Sequence, residues 1–143
     1  MIIREIEQKD RETVIDMMRG FYQSPAVLTN GSEEIYQSNV DGCIEGSDYL
    51  EGYVFDENGE ILGYGMLARS YSTEFGKRCI WIEDLFVKEE YRHKGIGTNF
   101  FSFVEEKYPD HLYRLEVEHD NEKAIISYEK NGFSPLPYLE MRK

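Results

Sequence analysis

The chain has 143 residues, of which 28 are acidic and 16 are basic, so its formal net charge is -12. This length fits a single domain, and no apolar run approaches the roughly 20 residues of a membrane helix. The charge argues against nucleic acid and anionic membranes as partners and mildly favours cationic ones, although surface acids can also simply keep a protein soluble. Since no long apolar leader follows Met1, we expect a cytoplasmic protein.

The first part of the chain predicts one short strand and two helices. Met1 to Ile6 is an apolar strand candidate. Asp10 is expected to cap a helix from Arg11 to about Gln23, and Ser32 is expected to cap a second helix. The predicted inner faces of these helices consist of apolar residues at helical spacing, namely Val14, Met17, Met18 and Phe21, then Ile35, Tyr36, Val40, Cys43 and Ile44.

Two hairpins are predicted next. Strand patterns from Tyr49 to Phe55 and from Glu60 to Ala68 flank Asn58-Gly59, a dipeptide typical of tight hairpin turns. The polar connection from Arg69 to Lys77 leads directly into another apolar run, so we expect a second hairpin there.

The apolar run from Cys79 to Val87 is rich in β-branched and aromatic residues and predicts a strand that is buried on both faces. Glu83 and Asp84 interrupt it. Because a carboxylate removed from water needs hydrogen bonds, a counter-charge or a proton, the two acids indicate a chemical role, a local bulge or an ion pair.

A basic turn and an amphipathic helix follow this strand. Arg92, His93 and Lys94 precede Gly95, and apolar residues then recur at helical spacing up to Tyr108. Free N–H groups at a helix N-terminus favour an anion, and glycine lets the backbone approach it. The turn therefore predicts a phosphate or pyrophosphate site, and the alternative is an ordinary solvated basic turn.

Two common phosphate motifs do not match. A Walker loop needs a lysine after its last glycine, but Thr98 follows Gly97 directly. The dinucleotide fingerprint needs a third small residue where Phe100 stands, and its first glycine comes directly off the strand.

The last part of the chain predicts strand, helix, strand. The segment from Leu112 to Glu118 alternates at period two and should run parallel to the strand at Cys79–Val87, because a helix joins them. Asp120 or Asn121 caps the next helix, which ends at Asn131-Gly132. Phe133 to Met141 is expected to form a final strand, which Pro135 and Pro137 confine to an edge or a bulge.

Neither the cysteines nor the histidines show a metal-binding or catalytic pattern. Cys43 and Cys79 lie in apolar surroundings and are expected to be buried thiols in a reducing compartment. His111 and His119 flank a predicted strand without partners. We expect no metal site.

The hexapeptide at 92–97 resembles the acetyl-CoA loop of the GNAT superfamily of N-acetyltransferases, which reads Gln or Arg, two variable residues, Gly, one variable residue, then Gly or Ala. The order Asn121, Tyr128, a basic residue, Gly132 and Phe133 is similar to the family's second signature. The resemblance implies an α/β (α+β) fold in one domain, 1–143: a mixed central sheet with antiparallel N-terminal strands, a parallel central pair and helices on both faces.

The resemblance also implies acetyl-CoA as the acetyl donor and direct attack by an amine. Glu83 is the candidate base, acting directly or through water, and Tyr128 is the candidate acid. Asn121 would bond the pantetheine arm, although it can be a plain helix cap, as Tyr128 can be an ordinary half-buried aromatic residue. The backbone of the strand end and the basic turn would bind the rest of the cofactor through Leu85, Phe86, Val87, Arg92, His93, Lys94, Gly95, Ile96, Gly97 and Thr98.

Three short runs, at 63–66, 75–77 and 82–87, are similar to spermidine/spermine and thialysine acetyltransferases. They make a small cationic amine the leading hypothesis for the acceptor. A peptide amine and an aminoglycoside are alternatives, and so is a CoA-binding sensor without catalysis. Family members are often dimers, so a homodimer is possible in principle. The residues expected to line the acceptor side are Tyr22, Glu33, Glu34, Tyr71, Phe75 and Asp84.

Overall fold

The computed structural model describes residues 1 to 143 and contains five strands and four α-helices. None of the helices is both long enough and apolar enough to cross a membrane. The elements in chain order are β1 (Ile2–Glu5), α1 (Arg11–Tyr22), α2 (Glu33–Glu45), β2 (Leu50–Glu57), β3 (Glu60–Ser72), β4 (Lys77–Val87), α3 (Ile96–Lys107), β5 (Leu112–Leu115) and α4 (Glu122–Lys130).

The sheet order is the chain order, β1-β2-β3-β4-β5. The first four strands pair antiparallel, and β5 pairs parallel with β4. The predicted mixed sheet and its parallel pair are confirmed. Both hairpins are also confirmed, and Asn58 and Gly59 take φ angles of 53° and 91°, the left-handed values that a tight turn between right-twisted strands requires.

Side-chain caps were predicted at the starts of α1 and α2, and one of the two is present. The Ser32 side chain accepts a hydrogen bond from the Ile35 amide at 3.2 Å, as expected. Asp10 stands at the start of α1 but makes no side-chain cap there. Its carboxylate is buried and accepts instead from the Arg4 guanidinium and the Glu7 amide, at 2.7 and 2.8 Å. The cap prediction for Asp10 was wrong because a guanidinium is the stronger partner.

Both faces of the sheet carry a hydrophobic core. The core beneath α1 and α2 includes Val40 and Tyr64, and the core beneath α3 includes Phe55 and Phe100. Gly65 of β3 faces the second core, where a Cβ atom would lie 2.4 Å from the Phe100 ring. Glycine at this position lets α3 pack close to the sheet. Of the predicted inner-face residues, Ile35 is the exception, with 48% of its surface exposed.

The predicted final strand does not form, and residues 131–143 have no regular structure. Proline lacks the N–H that a ladder needs, so Pro135 and Pro137 leave gaps in any pairing. The neighbouring edge, β5, offers only four residues. Leu139 and Met141 are accordingly 86% and 84% exposed. The predicted thiols are free, with Cys79 buried and Cys43 half-buried.

Candidate active site

A β-bulge lies at the centre of β4. Met66 of β3 pairs with Asp84, but the next residue, Leu67, pairs with Ile82, so Glu83 has no partner on β3. Such an extra residue shifts the side-chain alternation by one. Ile82 therefore faces the core beneath α3, whereas Asp84 faces the core beneath α1 and α2.

β4 and β5 separate at the same point. Their parallel pairing runs from Cys79 with Leu112 to Ile82 with Leu115 and goes no further, although β4 continues to Val87. Residues 83–87 of β4 therefore have a neighbouring strand only on the β3 side. We call the space between the diverging ends the strand opening.

The register determines which amides face this opening. The Lys88 amide donates to the Leu62 carbonyl at 2.9 Å, so these two residues form a hydrogen-bonded pair. In an antiparallel ladder every second pair is of this kind, so the next one back along β4 is Phe86 with Tyr64. The alternation directs the amide and carbonyl of Phe86 toward β3. Leu85 and Val87 direct theirs toward the strand opening, and the Arg92 Nε donates to the Val87 carbonyl at 2.8 Å. Leu85, Phe86 and Val87 are the strand positions predicted to bind the cofactor through their backbone, and Leu85 and Val87 thus face the opening.

Asp84 is the buried member of the acidic pair, with 4% of its surface exposed. The hydroxyl groups of Tyr22 and Tyr64 donate to its two oxygens at 2.9 and 2.8 Å. Burial raises the pKa of Asp84, and the two hydroxyl groups oppose part of that rise. The side chain ties β4 to α1 and β3 beneath the strand opening, so its geometry is that of an anchor.

Glu83 is the exposed member of the pair and lies among other carboxyl groups. Partial desolvation raises its pKa, and the negative charges of Asp84 and Glu140 add to the rise. Glu116 follows β5 directly. Although much of its surface is exposed, desolvation of its carboxyl and a hydrogen bond with Glu140 raise the pKa of Glu116 to about 7, and Glu83 contributes. Because Ile82 and Leu115 are the last pair of the two strands, Glu83 and Glu116 begin the opening side by side, and with Glu140 we call them the carboxyl cluster.

The basic turn has the backbone of an anion site. His93 and Gly95 take φ angles of 62° and 79°, and α3 begins at Ile96. The first amides of a helix have no partner within it, so those of Ile96, Gly97 and Thr98 remain available. A Cβ atom on Gly97 would have only the Leu85 side chain within 4 Å, at 3.8 Å, which leaves this backbone accessible. The turn fits a pyrophosphate group.

The basic side chains of the turn are held by aromatic rings. The Arg92 guanidinium lies 5.7 Å from the Phe86 ring centroid, and the Lys94 ammonium lies 5.4 Å from that of Tyr91. Arg92, His93 and Lys94 are all exposed. Arg92 and Lys94 take part in no ion pair, so they can add positive charge at the helix start.

α4 supplies the two remaining predicted residues. The Asn121 Oδ1 accepts from the Ala124 amide at 3.4 Å and so caps the helix, which leaves both N–H groups of its side-chain amide for another partner. The Tyr128 ring packs edge-on against Phe101 and Phe133, with centroids 6.0 and 6.2 Å away. Burial raises the pKa of Tyr128.

The predicted acceptor-side residues are dispersed. Tyr22 contacts the site through Asp84. Glu33 pairs with Arg19 at 2.5 Å, and Glu34 is exposed in the first turn of α2. Tyr71 and Phe75 are exposed on the β3–β4 hairpin, at 61% and 44%.

Sequence reasoning missed Tyr64, Glu116 and Glu140. Glu116 could have been found, because it follows a strand predicted to run parallel to the one with Glu83, and the carboxyl ends of such neighbours meet at one edge. Glu140 could not, because its position depends on an irregular segment. The Tyr138 hydroxyl of that segment donates to Glu74 at 2.8 Å and so ties it to the β3–β4 hairpin.

Comparisons with known proteins identify the family and support the fold. The model of the acetyltransferase (GNAT) family matches residues 13–133. A thialysine N-epsilon-acetyltransferase from Sus scrofa is 31% identical over 150 residues, covering 98% of this chain and 88% of that protein. A possible acetyltransferase from Clostridium difficile 630 has a TM-score of 0.83 at 19% identity, covering 99% of this chain and 95% of that one. The aminoglycoside N-acetyltransferase AAC(6')-Iy in complex with CoA has a TM-score of 0.82 at 11% identity, covering 99% and 93%.

Proposed function

Because the chain belongs to the GNAT acetyltransferase family and is an N-acetyltransferase that uses acetyl-CoA, we propose that it acetylates a primary amine of a small cationic molecule. One observation carries this choice of acceptor. Glu83 and Glu116 directly follow the last pair of β4 and β5, Ile82 with Leu115, so both carboxyl groups lie at the strand opening, where Glu140 contributes to the rise of both pKa values. A cationic amine that enters there relieves the repulsion among them. The name of the pig relative also supports a small amine.

The residues around the strand opening fit the donor. Acetyl-CoA supplies the acetyl group and a thiolate leaving group. The free amides at the start of α3, with Arg92 and Lys94, would hold its pyrophosphate. The outward amides of Leu85 and Val87 would bond the pantetheine arm and the acetyl carbonyl, and the side-chain amide of Asn121 would bond the arm from α4.

Glu83 is the proposed base. An amine with a pKa near 10.4 is protonated at neutral pH, and exposing its lone pair costs about 1.4 kcal/mol for each pH unit below that value. The bulge leaves Glu83 at the opening, without a partner on β3. Its pKa is raised toward the working pH, and a base is most effective when its pKa lies near that pH.

Tyr128 is the proposed acid. Since burial raises its pKa, its hydroxyl keeps its proton at neutral pH and can give it to the departing thiolate. Glu83 would thus accept the proton of the amine, and Tyr128 would donate a proton to the thiolate. The amine attacks directly in a ternary complex, so no acetylated side chain is required.

The experiment measures acetyl-CoA turnover, as free thiol release, on polyamines, thialysine, amino acids, lysine peptides and aminoglycosides. We expect a rate selective for small polyamines or thialysine. Glu83→Gln and Tyr128→Phe should each lower kcat by about 10²- to 10⁴-fold, the usual contribution of an acid or base. The wild-type rate should fall as the pH decreases through the raised pKa of Glu83, and Glu83→Gln should lose this limb.

The matched controls are Glu12→Gln and Tyr49→Phe, since both side chains are exposed and lie on other elements. They should keep wild-type rates. Equal activity of Glu83→Gln and wild type on every amine would overturn the role of Glu83. A preference for lysine peptides or aminoglycosides would overturn the proposed acceptor class while leaving the donor site intact.

A further inference from the structure

A second charged region lies at the opposite end of β4 from the strand opening. A cavity of about 360 Å³ opens there between the start of β4, the end of β3 and the loop that joins α3 to β5. The distance along β4 from Arg78 to Glu83 is about 16 Å at the usual rise of a strand. The cavity is therefore separate from both the carboxyl cluster and the basic turn.

The lining of this cavity is basic although the chain carries a net charge of -12. Arg69, Arg78, Lys107 and His111 all contribute to it. Bringing like charges together costs free energy unless a partner of opposite charge offsets them. A ligand with negative charge would remove that cost.

The Glu51 carboxylate lies close to the cavity, and its bonds are already taken. Glu51 accepts from Arg69 at 2.5 Å and from the hydroxyl groups of Tyr53 and Tyr108. Arg69 also donates to the carbonyls of Ser47 and Asp48, at 2.9 and 3.1 Å. Arg69 is thus a fixed part of the wall, with most of its donors used.

Arg78 and Lys107 differ from Arg69 because neither takes part in any ion pair of the chain. The Lys107 ammonium lies over the rings of Tyr53 and Tyr108, 5.7 and 5.8 Å from their centroids. These contacts hold the cation beside the cavity without neutralising it. Arg78 keeps its full set of guanidinium donors.

His111 also lines the cavity. Its Nδ1 lies 2.9 Å from the Pro109 carbonyl, which assigns the proton to Nδ1 and directs Nε2 elsewhere. With Ser70, the lining then offers a hydroxyl, an imidazole and two unpaired cations.

We infer that this cavity binds a small oxyanion with two or more negative charges, held by Arg78 and Lys107. Its volume is at the lower end of the range for ligand pockets, which fits a compact molecule. A guanidinium binds phosphate and carboxylate equally through paired N–H groups, so a phosphate ester and a polycarboxylate share the required chemistry.

The test is a titration of the ¹⁵N-labelled full chain, saturated with CoA so that the basic turn is occupied, at constant ionic strength. Inorganic phosphate and citrate are added in separate arms, and the arm with the tighter binding identifies the class of oxyanion. We expect saturable shifts of the Ser70, Cys79, Tyr108 and His111 amides. Arg78→Gln with Lys107→Gln should weaken binding at least tenfold.

A control with the same change of charge is Lys9→Gln with Lys143→Gln, since both residues are exposed and distant in sequence from the cavity. It should bind as wild type does. The inference is overturned if neither anion gives saturable shifts at these amides, or if both double variants bind equally well. The test reads amide shifts and needs no turnover, so its result does not depend on the identity of the acceptor amine.

Discussion

The two halves of β4 lie in one strand but are held in different ways. Residues 79–82 pair with β3 on one side and with β5 on the other. Residues 84–87 pair with β3 alone, and their outer edge faces the strand opening. The first half is stabilised by the sheet, whereas the second half leaves backbone groups free for a ligand.

What holds the second half in place is a side-chain anchor. Asp84 replaces the missing strand contacts with hydrogen bonds to Tyr22 of α1 and Tyr64 of β3. One extra residue, Glu83, shifts the side-chain alternation of β4 and so directs the next carboxylate, that of Asp84, into the core. The neighbouring acids thereby acquire different environments.

Amide hydrogen exchange should show the largest difference between the halves. The amides of Leu85 and Val87 face the opening, so they should exchange on the order of 100-fold or more faster than those of Ile80 and Ile82, which require the sheet to open. Added CoA should slow Leu85 and Val87 and leave Ile80 and Ile82 unchanged. Equal protection of all four amides in the free protein would contradict the separation of β4 and β5.

Tyr64→Phe should weaken the anchor of the second half. It removes a donor from a buried carboxylate, a bond to a charged group worth about 1.5–3 kcal/mol, so the free energy of unfolding should fall by that amount. Urea denaturation measures it. Tyr49→Phe is the control, because that ring is 76% exposed, and it should change stability by less than about 0.5 kcal/mol. An unchanged midpoint for Tyr64→Phe would show that Asp84 does not depend on this donor.

Asp84→Asn should change the pH dependence of the free energy of unfolding, and we expect this effect to be smaller than those on amide exchange and of Tyr64→Phe. The pKa of Asp84 is raised in the folded protein, so its ionisation destabilises the fold as the pH rises from the unfolded pKa of about 3.9 to the folded value. Asparagine stays neutral. The variant should therefore gain stability relative to wild type as the pH rises above the unfolded value of about 3.9, as measured by urea denaturation at each pH.

The exposed Asp48 provides the control, and Asp48→Asn should keep a nearly constant difference from wild type over the same range. A difference for Asp84→Asn that also stays constant would mean that Asp84 is not destabilised by ionisation in the folded protein.

Most of the fold was predictable because its signals are local. Asn58-Gly59 set the first hairpin, Ser32 capped α2 as expected, and the apolar spacing of α3 gave its buried face. The failures involve competition over distance. Asp10 does not cap α1 because it bonds Arg4, and no periodic pattern in the sequence connects these two residues. The final strand needed β5 as its pairing partner, and β5 has only four residues.

The bulge could be predicted from the sequence, but its geometry could not. A bulge was among the expected explanations for the pair Glu83-Asp84. Which acid is buried depends on which of the two is the extra residue of the bulge, because the side chains after a bulge point to the opposite faces. Asp84 is the buried one, and it is bonded by Tyr22 and Tyr64, which lie 62 and 20 residues away from it in the chain.

The agreement between sheet order and chain order bears on how the molecule folds. Each strand is laid beside the one that precedes it in the chain, and the β2–β3 and β3–β4 contacts need only short turns. The β1–β2 and β4–β5 contacts close longer connections, which span residues 6–49 and 88–111 and contain helices, and closing a longer loop is kinetically slower. We expect the β2–β3–β4 meander to be established first and the strand opening to appear only in a later step, when β5 joins the sheet.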